Sequence, residues 1–269
     1  MGVSKCGGSA IDKVCLWFIR CILHVKPTTS NFMSFGEVGI TPPSVQSQIN
    51  IISYFYRIKN MADSRLAKIV FNELVHLHEL GFNTWVSDVM NIAIEKNIEL
   101  CFESDMCVNQ IKSIVTDVYK NQWYASINDS STNPGLRFYK LFKKNYCLEP
   151  HLKYIVNDKH RIAVSKFRCS SHRLEIERGR HTNPITPINN RLCPFCHEID
   201  DELHFFAHCS NNKNLRQSLF NDLSKLYNGF QYLSATDKLS FVMSSDDEIV
   251  LCMIGMFIHL SCENWENAG

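Results

Sequence analysis

The sequence predicts a mainly α protein, and three observations predict it. Apolar residues recur at helical spacing in one segment after another, helix-starting residues precede several of those segments, and glycine or polar turn residues follow them. Ser44 stands where it would cap a helix carrying Val45, Ile49, Ile52, Phe55 and Tyr56. A second helix spans about residues 63–80 and stops at Gly81. Its Leu66, Ile69, Val70, Leu74 and Leu77 recur at helical spacing, so that face is expected to be buried. Asn83 or Thr84 opens a third helix with Val86, Val89, Met90 and Ala93, and a longer fourth, about residues 105–127, carries Val108, Ile111, Val115, Val118 and Trp123.

A polar loop follows, with turn residues throughout: Asn128, Asp129, Ser130, Ser131, Thr132, Asn133, Pro134 and Gly135. It is the best domain boundary in the chain. After it come a short basic helix at residues 136–144, a basic connector, a Cys/His-rich stretch, and helices near residues 215–227, 235–242 and 246–262. The expected organisation is an N-terminal segment (1–43), a helical domain (44–127), a basic helical connector (136–190), a small knuckle (191–212) and C-terminal helices (213–269).

The apolar run at residues 249–258 is too short to span a bilayer and is bounded by Asp246, Asp247, Glu248 and Glu263, so it reads as a buried core helix. Asp246 and Asp247 precede it as N-terminal caps. No membrane association is expected. Twelve cysteines show no regular disulfide framework, and several sit in apolar helical patterns where Cys is a small hydrophobe. A reducing, intracellular compartment, nucleus or cytoplasm, fits that usage. Met1-Gly2-Val3-Ser4-Lys5-Cys6 lacks the hydroxyl residue that a myristoylation start carries at its sixth position, and reads as an ordinary terminus.

Cys193-Pro-Phe-Cys196 and His204-Phe-Phe-Ala-His208-Cys209 read together as a complete zinc site. A CxxC turn points two thiolates at one centre, and a His and a Cys from a short following helix can close a tetrahedron. The first-choice ligands are Cys193, Cys196, His204 and Cys209, with His208 in place of Cys209 as the alternative. Four protein ligands leave no position for water, so such a metal is structural and not catalytic.

The chain holds 28 basic and 27 acidic residues, unevenly distributed. Residues 137–180 contain twelve basic and four acidic residues, a net +8 against −7 for the rest. A basic belt beside a zinc module is the electrostatic footprint of a phosphate-backbone binder, although a solvated helix face produces the same pattern.

Several blocks in order resemble the region downstream of the polymerase domain in non-LTR (LINE-type) retrotransposon reverse-transcriptase proteins. They are Cys21-Ile-Leu-His-Val-Lys-Pro-Thr-Thr-Ser-Asn31, Phe35-Gly-Glu37, Gly39-Ile-Thr-Pro42, Tyr54-Phe-Tyr-Arg57, Leu136-Arg-Phe-Tyr-Lys-Leu-Phe-Lys143 and Lys166-Phe-Arg168. The most specific are His172-Arg-Leu-Glu-Ile-Glu177-Arg178-Gly179-Arg180 and Arg191-Leu-Cys193, leading into Asp201-Glu-Leu-His204 and Cys209. The resemblance implies a non-catalytic tail that holds single-stranded RNA or DNA, with a polymerase domain as its partner. The polymerase Asp-Asp hairpin, palm and endonuclease motifs do not occur in this sequence, so no enzymatic activity is expected of it.

The expected phosphate contacts are Lys166, Arg168, His172, Arg173, Arg178 and Arg180, with Gly179 allowing close backbone approach. Phe167, Phe195, Phe205 and Phe206 are either base-stacking platforms or core around the metal. An internal ion-pair network is the competing reading for Glu175, Glu177, Arg178 and Arg180. A zinc-stapled helical scaffold without a nucleic-acid role is the competing reading for the whole, supported by Glu198, Asp200, Asp201 and Glu202 within the knuckle. The helices before residue 128 are expected to expose an apolar patch where the polymerase domain of the resembled family would pack. One contiguous basic face would separate the two.

Overall fold

The computed structural model describes residues 9–98, 100, 105–129 and 134–267. The N-terminal Met1 to Cys6 and the loop residues Ser130, Ser131, Thr132 and Asn133 lie outside them. The chain is 68% helical, with no strand among the described residues. In order the helices are α1 (Ala10–Leu23), α2 (Asn31–Val38), α3 (Pro43–Lys59), α4 (Leu66–Glu79), α5 (Trp85–Glu95), α6 (Val108–Asn128) and α7 (Tyr139–Phe142). They continue with α8 (Pro150–Tyr154), α9 (Asp158–Arg168), α10 (Glu175–Arg178), α11 (Lys213–Leu226), α12 (Ala235–Met243) and α13 (Glu248–Asn267). No helix among the described residues is long and apolar enough to cross a membrane.

The helices form two units, one of Met1–Cys15 with Thr41–Ala125 and one of Leu16–Ile40 with Ser126–Gly269. The stretch expected to stand alone as residues 1–43 is therefore divided, most of it belonging with the C-terminal unit.

In the first unit α3 begins at Pro43, because proline has no N–H to leave unpaired in a first turn. Ser44 is thus inside the helix and not its cap, and its N–H is taken by Asp12 Oδ1 at 2.9 Å. Ile49, Ile52, Phe55 and Tyr56 are buried, and Phe55 packs edge-on against Phe71 of α4 with ring centres 5.2 Å apart. Thr84 opens α5 and donates its N–H to Ser87 Oγ at 3.0 Å.

The expected face of α4 is not the buried one. Leu66, Ile69, Val70 and Leu77 are exposed, while Phe71 is buried and Leu74, Val75 and His78 are half-buried. The inward stripe is therefore Phe71, Leu74, Val75 and His78, one row at i, i+3, i+4 and i+7. His78 belongs to it because its Nδ1 lies 2.8 Å from Ser87 Oγ, so a polar residue occupies an inward position. An apolar row remains on the outside.

The second unit is organised around α13, which packs against α8, α9, α11 and α12. Val250, Ile254, Phe257 and Ile258 share one core with Val164 and Phe167 of α9, Leu219 and Leu223 of α11, and Leu239 and Val242 of α12. Asp247 starts α13 as expected, accepting the Ile249 N–H at 2.7 Å, and its other oxygen accepts from Tyr227 Oη at 2.5 Å.

Helix α2 enters this unit by a tight backbone passage. Gly39 ends it at φ +66°, and a Cβ there would lie 2.3 Å from the Cys147 carbonyl carbon and from the Leu148 nitrogen. Both the left-handed backbone and the space demand glycine. Gly39→Ala is expected to cost about 2–3 kcal/mol, read by urea denaturation, since backbone must move to admit the methyl. An unchanged midpoint would show that the passage is looser than this.

Candidate metal centre

Local hydrogen bonding builds a compact knuckle from residues 191–212. Leu192 bridges to Ile199 and the Cys193 N–H donates to the Glu198 carbonyl at 2.7 Å, closing the turn. The chain reverses at His197, which takes φ +59° and donates its N–H to the Cys193 carbonyl at 2.9 Å. Asp201 then caps the next segment by accepting the His204 N–H at 2.8 Å.

That segment, His204–His208, is a single π turn, closed by the Cys209 N–H on the His204 carbonyl at 2.8 Å. In an α-helix a residue five positions on stands about 140° round the axis from the first. The wider π turn brings the two back to one side, a use of π geometry common at functional sites. His204 and Cys209 thereby join Cys193 and Cys196, and His208 is left exposed.

One ligand atom from each of Cys193, Cys196, His204 and Cys209 lies within 4.8 Å of all the others. The Cys209 sulfur is 3.8 Å from both Cys193 Sγ and Cys196 Sγ. Ligands about 2.3 Å from the centre of a tetrahedron are about 3.8 Å apart, so the thiols already have the spacing of a coordination shell. His204 Nε2 is buried without a hydrogen-bond partner, as a ligating nitrogen would be before its metal is counted.

The thiols differ in ease of ionisation. Burial pushes Cys209 up to about 12, reinforced by the neighbouring Cys193. Burial also raises Cys196, but hydrogen bonds from Ser210, including its N–H at 3.1 Å, more than reverse this. Three thiols this close ionise together only beside a cation. The group could hold a metal with four protein donors and no open position.

The acidic residues of the knuckle face inward more than outward. Glu202 is 1% exposed and accepts from Arg137 Nη2 at 3.0 Å, from Ser170 Oγ at 3.2 Å and from His172 Nε2 at 3.1 Å. Asp200, equally buried, accepts the Glu175 N–H at 2.8 Å at the start of α10. Glu177 takes Arg180 at 2.6 Å and Arg137 at 3.4 Å. Arg191 donates to the Ile176 carbonyl at 2.8 Å and the Thr186 carbonyl at 2.9 Å. Its side chain lies on Gly179, where a Cβ would be 2.7 Å from Arg191 Cγ. Gly179 is therefore required by Arg191, not by an approaching phosphate.

Glu37, Glu149 and His151 form a second buried group at metal-ligand spacing, but cations of the chain already fill it. Arg168 grips Glu37 bidentately at 2.8 and 3.1 Å and reaches Glu149 at 2.5 Å, while Lys143 holds the other Glu149 oxygen at 2.5 Å. Arg168 also donates to the Met243 carbonyl. Two carboxylates balanced by two cations leave no charge for a metal to neutralise.

The six expected phosphate contacts separate accordingly. Arg168 and His172 are corrected: both are buried and bonded to carboxylates, because each supplies charge or a donor that the core otherwise lacks. Arg178 is exposed yet paired with Glu175 at 2.6 Å, and Arg180 is paired with Glu177, as the ion-pair reading held. Lys166 and Arg173 are exposed. They line one cavity together with Lys159 and with Lys26, a residue that sequence reasoning did not select because it lies far away in the chain. Phe167, Phe205 and Phe206 are core, each at most 3% exposed, and Phe195 is half-buried. No protein-family model, no curated protein and no solved structure matches the chain.

Proposed function

We propose that this chain is a non-catalytic nucleic-acid-binding tail whose binding surface is stapled by one structural zinc ion, like the post-polymerase region it resembles. Three thiols and an imidazole at tetrahedral spacing favour zinc, since soft sulfur donors with a nitrogen in that geometry select it. The observation that carries the binding reading is the gathering of Lys26, Lys159, Lys166 and Arg173 round one cavity, whose wall includes Phe205 from the π turn of the metal centre. The inward orientation of Asp200 and Glu202 removes much of the repulsion that the acidic knuckle would otherwise exert. Free cysteines fit a reducing compartment, nucleus or cytoplasm.

One observation favours the scaffold alternative: Arg137, Lys143, Arg161, Arg168, Arg178 and Arg180 all sit in internal ion pairs. The exposed row of Leu66, Ile69, Val70 and Leu77 likewise suits a protein partner, such as the polymerase domain of the resembled family.

A salt titration separates the two. If Lys26, Lys159, Lys166 and Arg173 neutralise phosphates, log affinity for single-stranded RNA falls with log salt at a slope of about −3, taking roughly 0.7 per contact. Replacing Lys159, Lys166 and Arg173 with Ala is expected to flatten that slope by about 2, whereas Arg178→Ala and Arg180→Ala change it far less. RNA binding that is absent, or indifferent to salt, supports the scaffold.

A further inference from the structure

The rings that the sequence offered as base platforms are out of a strand's reach: Phe167, Phe205 and Phe206 are core, and Phe195 is half-buried. Cations without rings hold phosphate of any kind and do not tell a single strand from a duplex. A single strand is held by cations together with exposed rings, on which its unpaired bases stack whatever their sequence. The second unit carries such rings elsewhere, on the part of α1 that belongs to it. Trp17 is 66% exposed and Phe18 58%, whereas Leu16, Ile19 and Leu23 of the same helix are buried.

Helix geometry ties these rings to the cavity. Trp17, Cys21 and His24 follow one another at i, i+4 and i+7, one row along the helix surface, and all three are exposed. Helix α1 ends at Leu23, where the Val25 N–H returns to the Arg20 carbonyl at 3.1 Å and the His24 N–H to the Cys21 carbonyl at 3.2 Å, with His24 at φ +53°. That turn carries the chain directly into the cavity wall, which His24, Val25 and Lys26 all line. Lys26 is fixed there, its backbone N–H donating to Ser171 Oγ at 2.8 Å and its Nζ to the His172 carbonyl at 3.0 Å. From Trp17 to His24 the row is about 10 Å long.

The charge along this path is one-sided. Between Leu16 and Leu23 the only charged side chain is Arg20, and it is turned to the Thr29 carbonyl and to Asn31 Oδ1, the latter at 2.7 Å. The exposed face of Trp17, Phe18, Cys21 and Ile22 is therefore uncharged. Beyond its end stand Lys26, Lys159, Lys166 and Arg173. An uncharged aromatic surface leading into cations suits a polymer with flat bases and an anionic backbone, whereas a wholly apolar partner would leave the cations unused. We propose that Trp17 and Phe18 form the stacking platform for unpaired bases of a single strand whose phosphates lie on the cations of the cavity. The inference rests on the nucleic-acid reading and adds to it the residues that select a single strand over a duplex.

The test is a fluorescence and affinity titration of the full chain with a short single-stranded RNA and with the same sequence as a duplex. The single strand is expected to quench tryptophan emission, and Trp17→Leu to remove much of the quench and lower affinity about tenfold. Trp265 also lines the cavity, so only the part of the quench that Trp17→Leu removes reports the platform. Trp17→Phe should keep most of the affinity, and the salt slope should stay the same in both variants, because no phosphate contact is lost. Duplex affinity should not respond to Trp17→Leu, its bases being stacked on one another already. Tyr232, 83% exposed and not part of the cavity wall, supplies the control: Tyr232→Leu should change nothing. Salt-dependent RNA binding in which Trp17→Leu and Phe18→Leu alter neither quench nor affinity overturns the platform and keeps the nucleic-acid reading. An equal loss on the duplex, or with Tyr232→Leu, overturns the platform as well. Absence of any RNA binding overturns both. A wild-type dimer in sedimentation that Trp17→Leu dissociates, with RNA affinity unchanged, overturns the platform and gives this face to a second copy of the chain.

Discussion

Purified protein is expected to contain one zinc per chain, and Cys193→Ser or Cys196→Ser to release it and unfold the knuckle. Binding by such a shell supplies on the order of 10 kcal/mol in short zinc-dependent peptides, far more than the few apolar residues of residues 191–212 could replace. The loss should spread, because the knuckle supplies Phe205 and Phe206 to the core of the second unit and Glu202 to Arg137 and His172. Cys209→Ser should match the damage of the CxxC variants, and His208→Ala should be close to neutral, since the π turn leaves His208 exposed and outside the ligand group. Metal content, near-ultraviolet circular dichroism and thermal unfolding read this together. A metal-free protein with an unchanged spectrum and melting temperature would remove the centre from the account, and a His208 variant worse than Cys209→Ser would reassign the fourth ligand.

The candidate metal-binding group was legible because its four residues are close in the chain and their chemistry is rare: a CxxC and a His and Cys a few residues on suffice. Its π turn was not legible, since residues five apart face one side only after the helix has widened. Most helices could be placed from periodicity, yet the inward face of α4 could not. A helix apolar on two sides offers two stripes, and the choice was made by Phe71 and by His78 bonded to Ser87. The basic segment misled in a more instructive way. Arg168 and its partner Glu37 are 131 residues apart, and Arg137 meets Glu202 across 65 residues, both acids lying outside the basic segment. Charge counted along the chain cannot register such cancellation. The same distance hid Lys26, which joins the cavity from outside the basic segment. Several blocks that carry the resemblance, those holding Glu37, Arg137, Arg168, Glu177 and Glu202, supply the pairs that hold the second unit together.

Arg168→Ala is accordingly expected to destabilise the protein by about 3–5 kcal/mol, the cost of leaving buried carboxylates without their cation. A phosphate-contact role predicts the opposite pattern, weaker RNA binding at unchanged stability, so urea denaturation beside an RNA titration decides between them. Arg168→Met with Glu37→Gln should lose less than the sum of the single variants, because the charge that punishes each single change is then gone. The cluster also sets an acid limit. Burial raises Glu37, but Arg168, His151 and Lys143 more than reverse that, so its stabilising charge is lost only as pH falls below its usual 4.5. Burial holds His151 down to about 3 in spite of Glu37, against an ordinary 6.5. Between those values the unfolded chain binds a proton that the folded protein refuses, so stability falls with acid by up to about 1.4 kcal/mol per pH unit. Asp200, raised by burial to about 6 from its usual 3.8, acts in the opposite sense over part of that window. The difference between wild type and His151→Gln therefore isolates the histidine: the wild type should lose stability faster between pH 6.5 and pH 4. Parallel curves over that window would mean that His151 takes up its proton inside the folded protein.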